Sequence, residues 1–517
     1  MIKRFHLIII LSILTTLSSQ AKIIDLSITD AEAWRVSNMD QYVGDTVRFI
    51  QPVYIINNYY SNSPTVSVRY LYQPSNMCLP GTVELSKMAT ANEQSQATLS
   101  GINEYHRMGE RIDGLVARIN SYSNWQYISA DSWWGNRDDF STPPSVDNND
   151  THTLLICAWN LEYYLVDNLG TGFGPENKEE HIRQRRKILS ALHLINADIY
   201  GFMEVEQGQS ALKELSDSLG PDFTYIDDKT TAYSSFTKVG FVYDSTKVEP
   251  IGQLQNNNQF TTHRKKMITF REKSSGESFI FSLNHFKAKS GTGGGLDADQ
   301  GDGQGIFNYT RTQEAKSVAE MYKTYSRKIN ENDLLLMGDL NAYAKEDPIT
   351  LLTNEGMVDL HRAFHADSSY SYLWRGTRGY LDHALANRTM LKQITGMAAW
   401  HINSPEHDRY TYDNSYDITM FRSSDHDPIL VGLRLTNQST EEKNVVVNNA
   451  SVLFENNTPI IFDAQGGWYR LYNVSGLLVS QGSIVDSEYK LADINSGFYI
   501  LDVFIDGSRK QFKIIIR

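Results

Sequence analysis

Between residues 22 and about 140, apolar and polar positions alternate in short runs. GDTVRFIQPVYIINNYY and TVSVRYLYQP alternate β-branched or aromatic residues with polar ones, and DGLVARINSYSNWQYI repeats the pattern as a pair. A period of two marks a strand with one buried face. The region 22–140 therefore predicts an all-β domain with irregular loops, an OB-like β-barrel or a small sandwich. Its aromatics Tyr54, Tyr59, Tyr70, Trp125 and Trp133 either fill core and rim or form a base-stacking platform. STPPSVDNNDT, residues 141–151, interrupts the alternation with two prolines and a polar tail, and predicts an extended linker.

From residue 154 the period switches back and forth between strand and helix. LLICAWNLEYYL predicts a buried strand, NKEEHIRQRRKILSALHLI an amphipathic helix, and ADIYGFMEV the next strand. VGFVYD, MITFRE, FIFSLNHF and DLLLMGDLNAY continue as strands, with RTQEAKSVAEMYKTYSRK as a helix among them. The span 152–436 is accordingly a layered α/β domain. Residues 437–450 form a polar connector. In 451–517, WYRLYNVSGLLVSQGSIV, GFYILDVFIDGS and RKQFKIIIR alternate again, with turns at Ser475-Gly476 and Asp506-Gly507, and predict a third, small β-domain. The fold class is α+β and multidomain, as expected for 517 residues.

Composition narrows the function. MIKRFHLIIILSILTTLSSQA has a basic start, an apolar run and a small-residue end, the pattern of a signal peptide over 1–21. The apolar run is too short to span a bilayer, and no later segment is long and apolar enough to do so. Cys78 and Cys157 are too few for a disulfide scaffold or a Cys-rich zinc site. The net charge of -13 excludes a passive nucleic-acid coat, which needs concentrated positive charge. A bound cation can still reverse the sign of a local site.

Polar residues recur where strands of the middle domain end. Asn160 and Glu162 follow LLICAW, Glu204 follows YGFM, Asp339 and Asn341 follow LLLMG, and Asp425 and His426 precede PILVGL. Repeated at strand after strand, such oxygen donors suit a hard divalent cation such as Mg²⁺. His285, at the end of FIFSLNHF, and His426, beside a carboxylate, are suited to proton transfer, with Asp382 placed to orient His426. Lys287, Lys289 and Arg311 are candidates to hold flanking phosphates.

The blocks N-L-E, G-F-M-E-V, L-N-H-F-K, G-D-L-N-A, L-D-H-A-L and S-S-D-H-D-P, in this order across 152–436, resemble the endonuclease/exonuclease/phosphatase superfamily, the DNase I-like fold. The resemblance implies a four-layer α/β sandwich with its active site at the sheet edge. It implies Glu204 as main metal ligand, helped by Glu162 and Asp425, with Asn160 and Asn341 positioning metal shell and phosphate. Asp339 would orient or deprotonate water, Asp382 and His426 would stabilise the transition state, and His285 would protonate the leaving oxygen. Mg²⁺ is the expected cofactor, with Mn²⁺ or Ca²⁺ as substitutes.

SGTGGGLDADQGDGQGIFNYTR, from 290, resembles the Gly- and Asp-rich insertion of secreted bacterial nucleases of this superfamily. It implies an extracellular endonuclease on DNA, with RNA as a second substrate. Asp297, Asp299 and Asp302 there form a weak Ca²⁺ candidate. Glu206 stands where some DNA-cleaving relatives carry a basic residue. The tail, with Gly476, Gly497 and a final basic and β-branched run, resembles the C-terminal sorting domain of type IX secretion cargo, a β-sandwich, and implies release or attachment at the cell surface. Two alternatives remain open: the same centre acting on phospholipid head groups or small phosphodiesters, and an inactive surface protein that binds nucleic acid. No oligomer is implied.

Overall fold

The computed structural model describes residues 23–436 and 451–517, apart from 59–62, 103, 149, 232–235, 366–368, 415–416, 456–457, 463, 474–476, 487, 492–493, 506–507 and 517. The signal segment 1–21, the connector 437–450, Tyr59, Gly476 and the Asp506-Gly507 turn lie outside the described residues. The chain forms two compact units, Met1–Thr436 and Asn437–Arg517.

In the first unit the buried strands of the middle domain assemble as two six-stranded sheets. One runs Phe223–Tyr225, Thr237–Asp244, Ile199–Glu206, Leu154–Tyr164, Ile429–Leu433, Ile394–Ala399; the other runs Val248–Asn256, Lys265–Glu272, Ser278–His285, Leu334–Asp339, Asp382–Ala386, Val358–Asp359. Their facing sides share one apolar core that includes Ile156, Met203, Phe241, Phe281, Leu283, Met337 and Val431. On the outer side of the first sheet, helices Lys178–Ile195 and Ser210–Leu219 bury Ile188, Leu192, Leu212 and Leu215 against Trp159, Tyr200 and Phe202. On the outer side of the second, Asn308–Ile329 and Asp347–Asn354 bury Val318 and Leu352 against Ile280, Leu334 and Leu336. Each sheet is thus apolar on both faces, which is why its strands read as continuous hydrophobic runs. The result is four layers, helix, sheet, sheet, helix.

Strand direction sets where the polar residues fall. Leu154–Tyr164 is parallel to Ile199–Glu206, and Ser278–His285 is parallel to Leu334–Asp339. Asp382–Ala386 and Ile429–Leu433 run antiparallel to these pairs. The C-terminal ends of the parallel strands and the N-terminal ends of the antiparallel ones therefore share one edge.

Residues 23–140 depart from the expected OB-like barrel. Nine strands form one sheet whose terminal strands, Ile23–Leu26 and Ser132–Trp134, do not pair with each other among the described residues, so no closed barrel is present. Nor is the region all-β: Val83–Glu93 is a helix, with the Thr82 side chain accepting from Leu85 N at its start. Its apolar positions are sparse, so the helical period is faint, and the capping threonine is the readable signal. The sheet closes its own core around Trp125, Phe49, Val53 and Ile112. It is joined to the catalytic layers through strand Leu71–Tyr72, which pairs with Thr377–Gly379, and through Arg107, which bonds Glu406 at 2.8 Å. Segment 141–151 is laid along the first sheet: Val146 is buried, and Asn148 N donates to Thr395 O.

The second unit contains a three-stranded sheet, Ser451–Glu455, Thr458–Phe462 and Glu488–Lys490, and a four-stranded one, Trp468–Asn473, Leu478–Ser483, Gly497–Ile505 and Ser508–Ile516. They share a core that includes Ile461, Leu471, Leu501 and Ile514. Among the described residues no helix is long and apolar enough to cross a membrane.

Candidate active site

Two backbone irregularities turn carboxylates toward the shared edge. Between Leu154–Tyr164 and Ile199–Glu206 the register passes from Asn160↔Met203 to Tyr164↔Val205, so three residues on one strand oppose Glu204 on the other. The register also slips between Ile199–Glu206 and Thr237–Asp244, between Phe202 and Val205. Such bulges re-aim side chains beside active sites. Glu162, Tyr163 and Glu204 accordingly take φ of 52°, 54° and 56°, and Asn341, on the loop after Asp339, takes 48°. This left-handed backbone is unfavourable for residues with a Cβ, and its concentration at one edge marks strain held for function.

In the second sheet the register itself builds the site. His285 is opposite Asp339, and Asp339 is opposite Asp382. Asp382 Oδ2 lies 2.7 Å from His426 Nδ1 and accepts from Ser371 Oγ at 2.7 Å. His426 Nε2 points back toward Asp339 Oδ2 at 3.8 Å and Asp425 Oδ2 at 3.9 Å. His285 Nε2 is 3.6 Å from both Glu204 Oε1 and Asp339 Oδ2. Asn160 Nδ2 donates to Asp339 Oδ2 at 3.1 Å, and Asn341 N donates to Asp339 Oδ1 at 2.9 Å. The two sheets are stitched together here, since Asn160 belongs to the first and Asp339 to the second. Trp159 and Asn403 both donate to the His426 carbonyl, and Ser424 Oγ donates to Asn160 O, which fixes the loop that carries His426.

The electrostatics divide the site in two. Glu162 is pushed up to about 8 by burial and by Asp425, and Glu204 is raised by the same two causes. Two buried carboxyls raised beside Asp425 form a sink for positive charge. Asp339 is raised to about 7 by burial, against the pull of His426. Burial opposes a charge on His426, but Asp382, Asp425 and Asp339 outweigh it and hold the imidazolium well above its ordinary range. His285 goes the other way: burial and then Arg264 hold it well below, so it is neutral.

The donor set tests whether a metal fits. Glu162, Glu204 and Asp425 are hard oxygen donors whose mutual repulsion is relieved by a divalent cation, and Asn160 adds an uncharged oxygen; these residues fit Mg²⁺ or a similar ion. Asp339, Asp382 and His426 also lie within 4.8 Å of one another. There Asp382 Oδ2 is engaged by His426 and Ser371, while its Oδ1 is buried without a hydrogen-bond partner among the described residues. When bound, the cation neutralises phosphoryl oxygens and activates water. Among the chain's own residues, His426 holds a proton and His285 keeps a neutral imidazole.

Nine of the residues expected from the sequence are brought together: Asn160, Glu162, Glu204, His285, Asp339, Asn341, Asp382, Asp425 and His426. Lys287, two residues after His285, is half-buried, with its ammonium 4.3 Å from the Phe307 ring centre. Lys289 and Arg311 are corrected. Lys289 pairs with Glu346 at 2.5 Å and donates to Gln304 O, and Arg311 is wholly buried, donating to the carbonyls of Gln304, Ile306 and Lys287. Both hold the Gly-rich insertion in place, because its clustered carbonyls are nearer than any phosphate. The aspartates there are equally occupied: Asp297 caps Thr310, Asp299 accepts from Gly301 N, and Asp302 accepts from Gln304. Glu206 is buried and anchors the next loop through Val166 N, Asp167 N and Asn168 N, so it places no acid against a substrate.

The sequence reading missed Arg264, Tyr372 and Arg422. Arg264 precedes strand Lys265–Glu272, accepts the His285 N–H on its carbonyl at 2.8 Å, and is half-buried. Its position opposite His285 could be read only once the strands were paired. Tyr372 lays its ring 4.9 Å from that of His426. Arg422 is buried behind Glu162 and favours its carboxylate.

No curated protein matches the chain. Solved structures with similar folds include an endonuclease/exonuclease/phosphatase from Bacteroides vulgatus, 15% identical over 55% of this chain and 99% of that one, TM-score 0.38. A Bacteroides thetaiotaomicron mannosyl-6-phosphatase is 17% identical over 55% of this chain and 100% of that one, TM-score 0.36. D. rerio TDP2 in complex with a single-stranded DNA product is 14% identical over 55% and 99%, TM-score 0.38. Residues 157–426, more than half of the chain, match the model of the endonuclease/exonuclease/phosphatase family. The chain therefore belongs to the endonuclease/exonuclease/phosphatase family, hydrolases of phosphoesters that depend on a divalent metal.

Proposed function

We propose that the protein is a secreted, Mg²⁺-dependent endonuclease that hydrolyses phosphodiester bonds of extracellular DNA, with RNA as a second substrate. The observation that carries the reading is the facing of two poles across one edge: Glu162, Glu204 and Asp425 opposite the Asp382, His426 and Asp339 chain. A phosphodiester transition state spreads negative charge over its oxygens, and a cation on one side with an imidazolium on the other meets that charge. His285 lies between the poles, 3.6 Å from both Glu204 and Asp339, placed for a leaving oxygen, and Asp339 is placed for water. Arg264 and Lys287 extend the positive rim from His285 outward and suit the neighbouring phosphates of a polymer. The signal pattern at 1–21, the type IX-like tail and the Gly-rich insertion support export and an extracellular polymer as substrate.

The test is cleavage of circular plasmid DNA by the protein lacking residues 1–21, with Mg²⁺, beside EDTA and His426→Ala controls. Metal-dependent nicking lost in both controls supports the reading. Intact circles, with release of phosphocholine or of phosphate from a small ester, would move the activity to another phosphoester.

A further inference from the structure

Two aromatic pairs border the centre, one beside Glu204 and one beside His426, and the catalytic reading gives neither a role. The first is Tyr163 with Phe173. Tyr163 N donates to Glu204 Oε2 at 3.2 Å, so this ring is rooted beside the acidic pole. Phe173 stacks on it at 5.1 Å and 27° and remains 52% exposed. Gly174 makes this approach possible: a Cβ there would lie 2.5 Å from Tyr163 O. The loop therefore closes onto Tyr163 only with glycine next to Phe173.

The second pair is Tyr372 with Trp374, on the side of His426. Tyr372 and Trp374 are two residues apart on one strand and so share a face. The strand turns at Arg375-Gly376, with φ of 48° and 82°, the two-residue hairpin that matches strand twist. Trp374 is 51% exposed at the tip, with the Arg375 guanidinium 5.4 Å from its ring centre. The tip is held rigid from the N-terminal sheet. Strand Leu71–Tyr72 extends the hairpin, Arg378 lies 3.5 Å from the Tyr70 ring centre, and a Cβ on Gly376 would meet Ile56 O at 3.2 Å.

Given the nuclease reading, on which this inference rests, we infer that Phe173 and Trp374 stack on the two bases that flank the scissile phosphate. Each ring is exposed, rigidly backed and attached to one pole, so the order across the cleft is ring, phosphoester centre, ring. A sugar monophosphate fills only one side of such a cleft. In a duplex both base faces are covered by neighbouring pairs, so the arrangement selects unpaired or splayed strands.

The experiment measures steady-state cleavage of a short single-stranded oligonucleotide and of two versions in which a tetrahydrofuran residue replaces the nucleotide on one side of the cut. Trp374→Ala and Phe173→Ala are each expected to raise KM roughly tenfold on the intact strand, with kcat nearly unchanged. Each should leave KM unchanged on the version already lacking the base on its own side. Trp374→Phe and Phe173→Tyr should restore the wild-type values. Equal effects on all three substrates, or none, with the wild-type enzyme still cutting, would overturn base stacking and leave the nuclease reading standing. Loss of sedimentation with phosphatidylglycerol vesicles in Trp374→Ala would overturn it by assigning the hairpin to a lipid surface. If the wild-type enzyme cuts no strand but hydrolyses another phosphoester, the nuclease reading fails and the inference fails with it.

Discussion

Asp382 and His426 meet at 2.7 Å between Oδ2 and Nδ1, although 44 positions separate them in sequence and they come from opposite sheets. The contact fixes the imidazole ring so that Nε2 faces Asp339 and Asp425. It is also the largest of the contributions, ahead of Asp425 and Asp339, that keep the ring charged against the cost of burial.

Removing that charge should change the ring and leave the metal pole intact. In Asp382→Asn the amide can still bond the ring but no longer stabilises the imidazolium, and a loss of 10²–10⁴-fold in kcat is the ordinary range for a positioned acid. His426→Ala should fall in the same range, and the double variant should lose little more, because the two act as one unit. Mg²⁺ affinity measured by calorimetry should stay within about threefold of wild type, on the argument that neither residue is a ligand. A large loss of metal affinity in Asp382→Asn would place this pair in the metal shell.

The acidic pole makes stability depend on pH in a direction opposite to the usual carboxylate. Glu162 and Asp339 titrate at about 8 and about 7 in the folded chain, and near ordinary carboxyl values of 4.5 and 3.8 when unfolded. Between these limits the native state binds more protons than the unfolded one. The contribution of these two carboxyls to the stability of the metal-free protein should therefore fall as pH rises from about 4.5 to about 8, while buried neutral histidines such as His285 act in the opposite direction below their ordinary range. Mg²⁺ replaces the protons, so its shift of Tm should be larger at pH 8 than at pH 6. Thermal melts in EDTA and in Mg²⁺ check this, with Glu162→Gln expected to flatten the EDTA curve. A Glu162→Gln variant whose stability relative to wild type does not increase with pH over this range would be the contrary result.

Glu204 carries strain as well as charge. Its φ of 56° costs a residue with a Cβ on the order of 1 kcal/mol, which glycine does not incur. Glu204→Gly should abolish activity while raising the metal-free Tm, since it removes both the left-handed penalty and a buried carboxylate. Glu204→Gln keeps the strain and should be equally inactive with a smaller gain. Differential scanning fluorimetry in EDTA separates the two; a Glu204→Gly protein less stable than Glu204→Gln would falsify the strain argument.

Much of this site was legible in the sequence because each member lies at the end of an apolar run, where period and polarity change together. Asn160, Glu204, Asp339 and His426 are of that kind, and they meet because the C-terminal ends of the parallel strands share an edge with the N-terminal end of the antiparallel strand Ile429–Leu433. What escaped was set by direction rather than by position. Lys289 lies only two positions beyond Lys287, but its side chain and that of Arg311 turn to the carbonyls of the Gly-rich insertion. Arg264 and Tyr372 enter through pairing partners that no local pattern specifies. In the N-terminal region alternation revealed the strands but not their order, since Ala97–Ser100 inserts between Thr65–Ser67 and Asn124–Ser129. The helix Val83–Glu93 lacked a periodic face to reveal it.

The attachment of the N-terminal sheet gives the last prediction. Arg107 Nε bonds Glu406 Oε1 at 2.8 Å, Arg107 also donates to His401 O, and Arg137 bonds Glu406 Oε2 at 2.6 Å. The turn they hold supplies Asn403 N and Ser404 N to Asp427, the residue after His426. Arg107 and Glu406 are almost wholly buried, so removing Arg107 leaves Glu406 with Arg137 alone to balance its charge, and removing Glu406 strands Arg107, a loss of up to about 3–5 kcal/mol. Arg107→Ala should therefore destabilise far more than Arg137→Ala, whose side chain is 25% exposed. Replacing Arg107 and Glu406 together by Met and Leu should recover much of the stability, because the buried charge is then gone. The N-terminal sheet and the catalytic layers should unfold in one transition, since this network and the Leu71–Tyr72 strand cross between them. Chemical denaturation followed by tryptophan fluorescence and by residual activity gives both readings. Separate midpoints for the two signals in the wild-type protein would show that the N-terminal sheet is an independent domain rather than a structural support of the His426 loop.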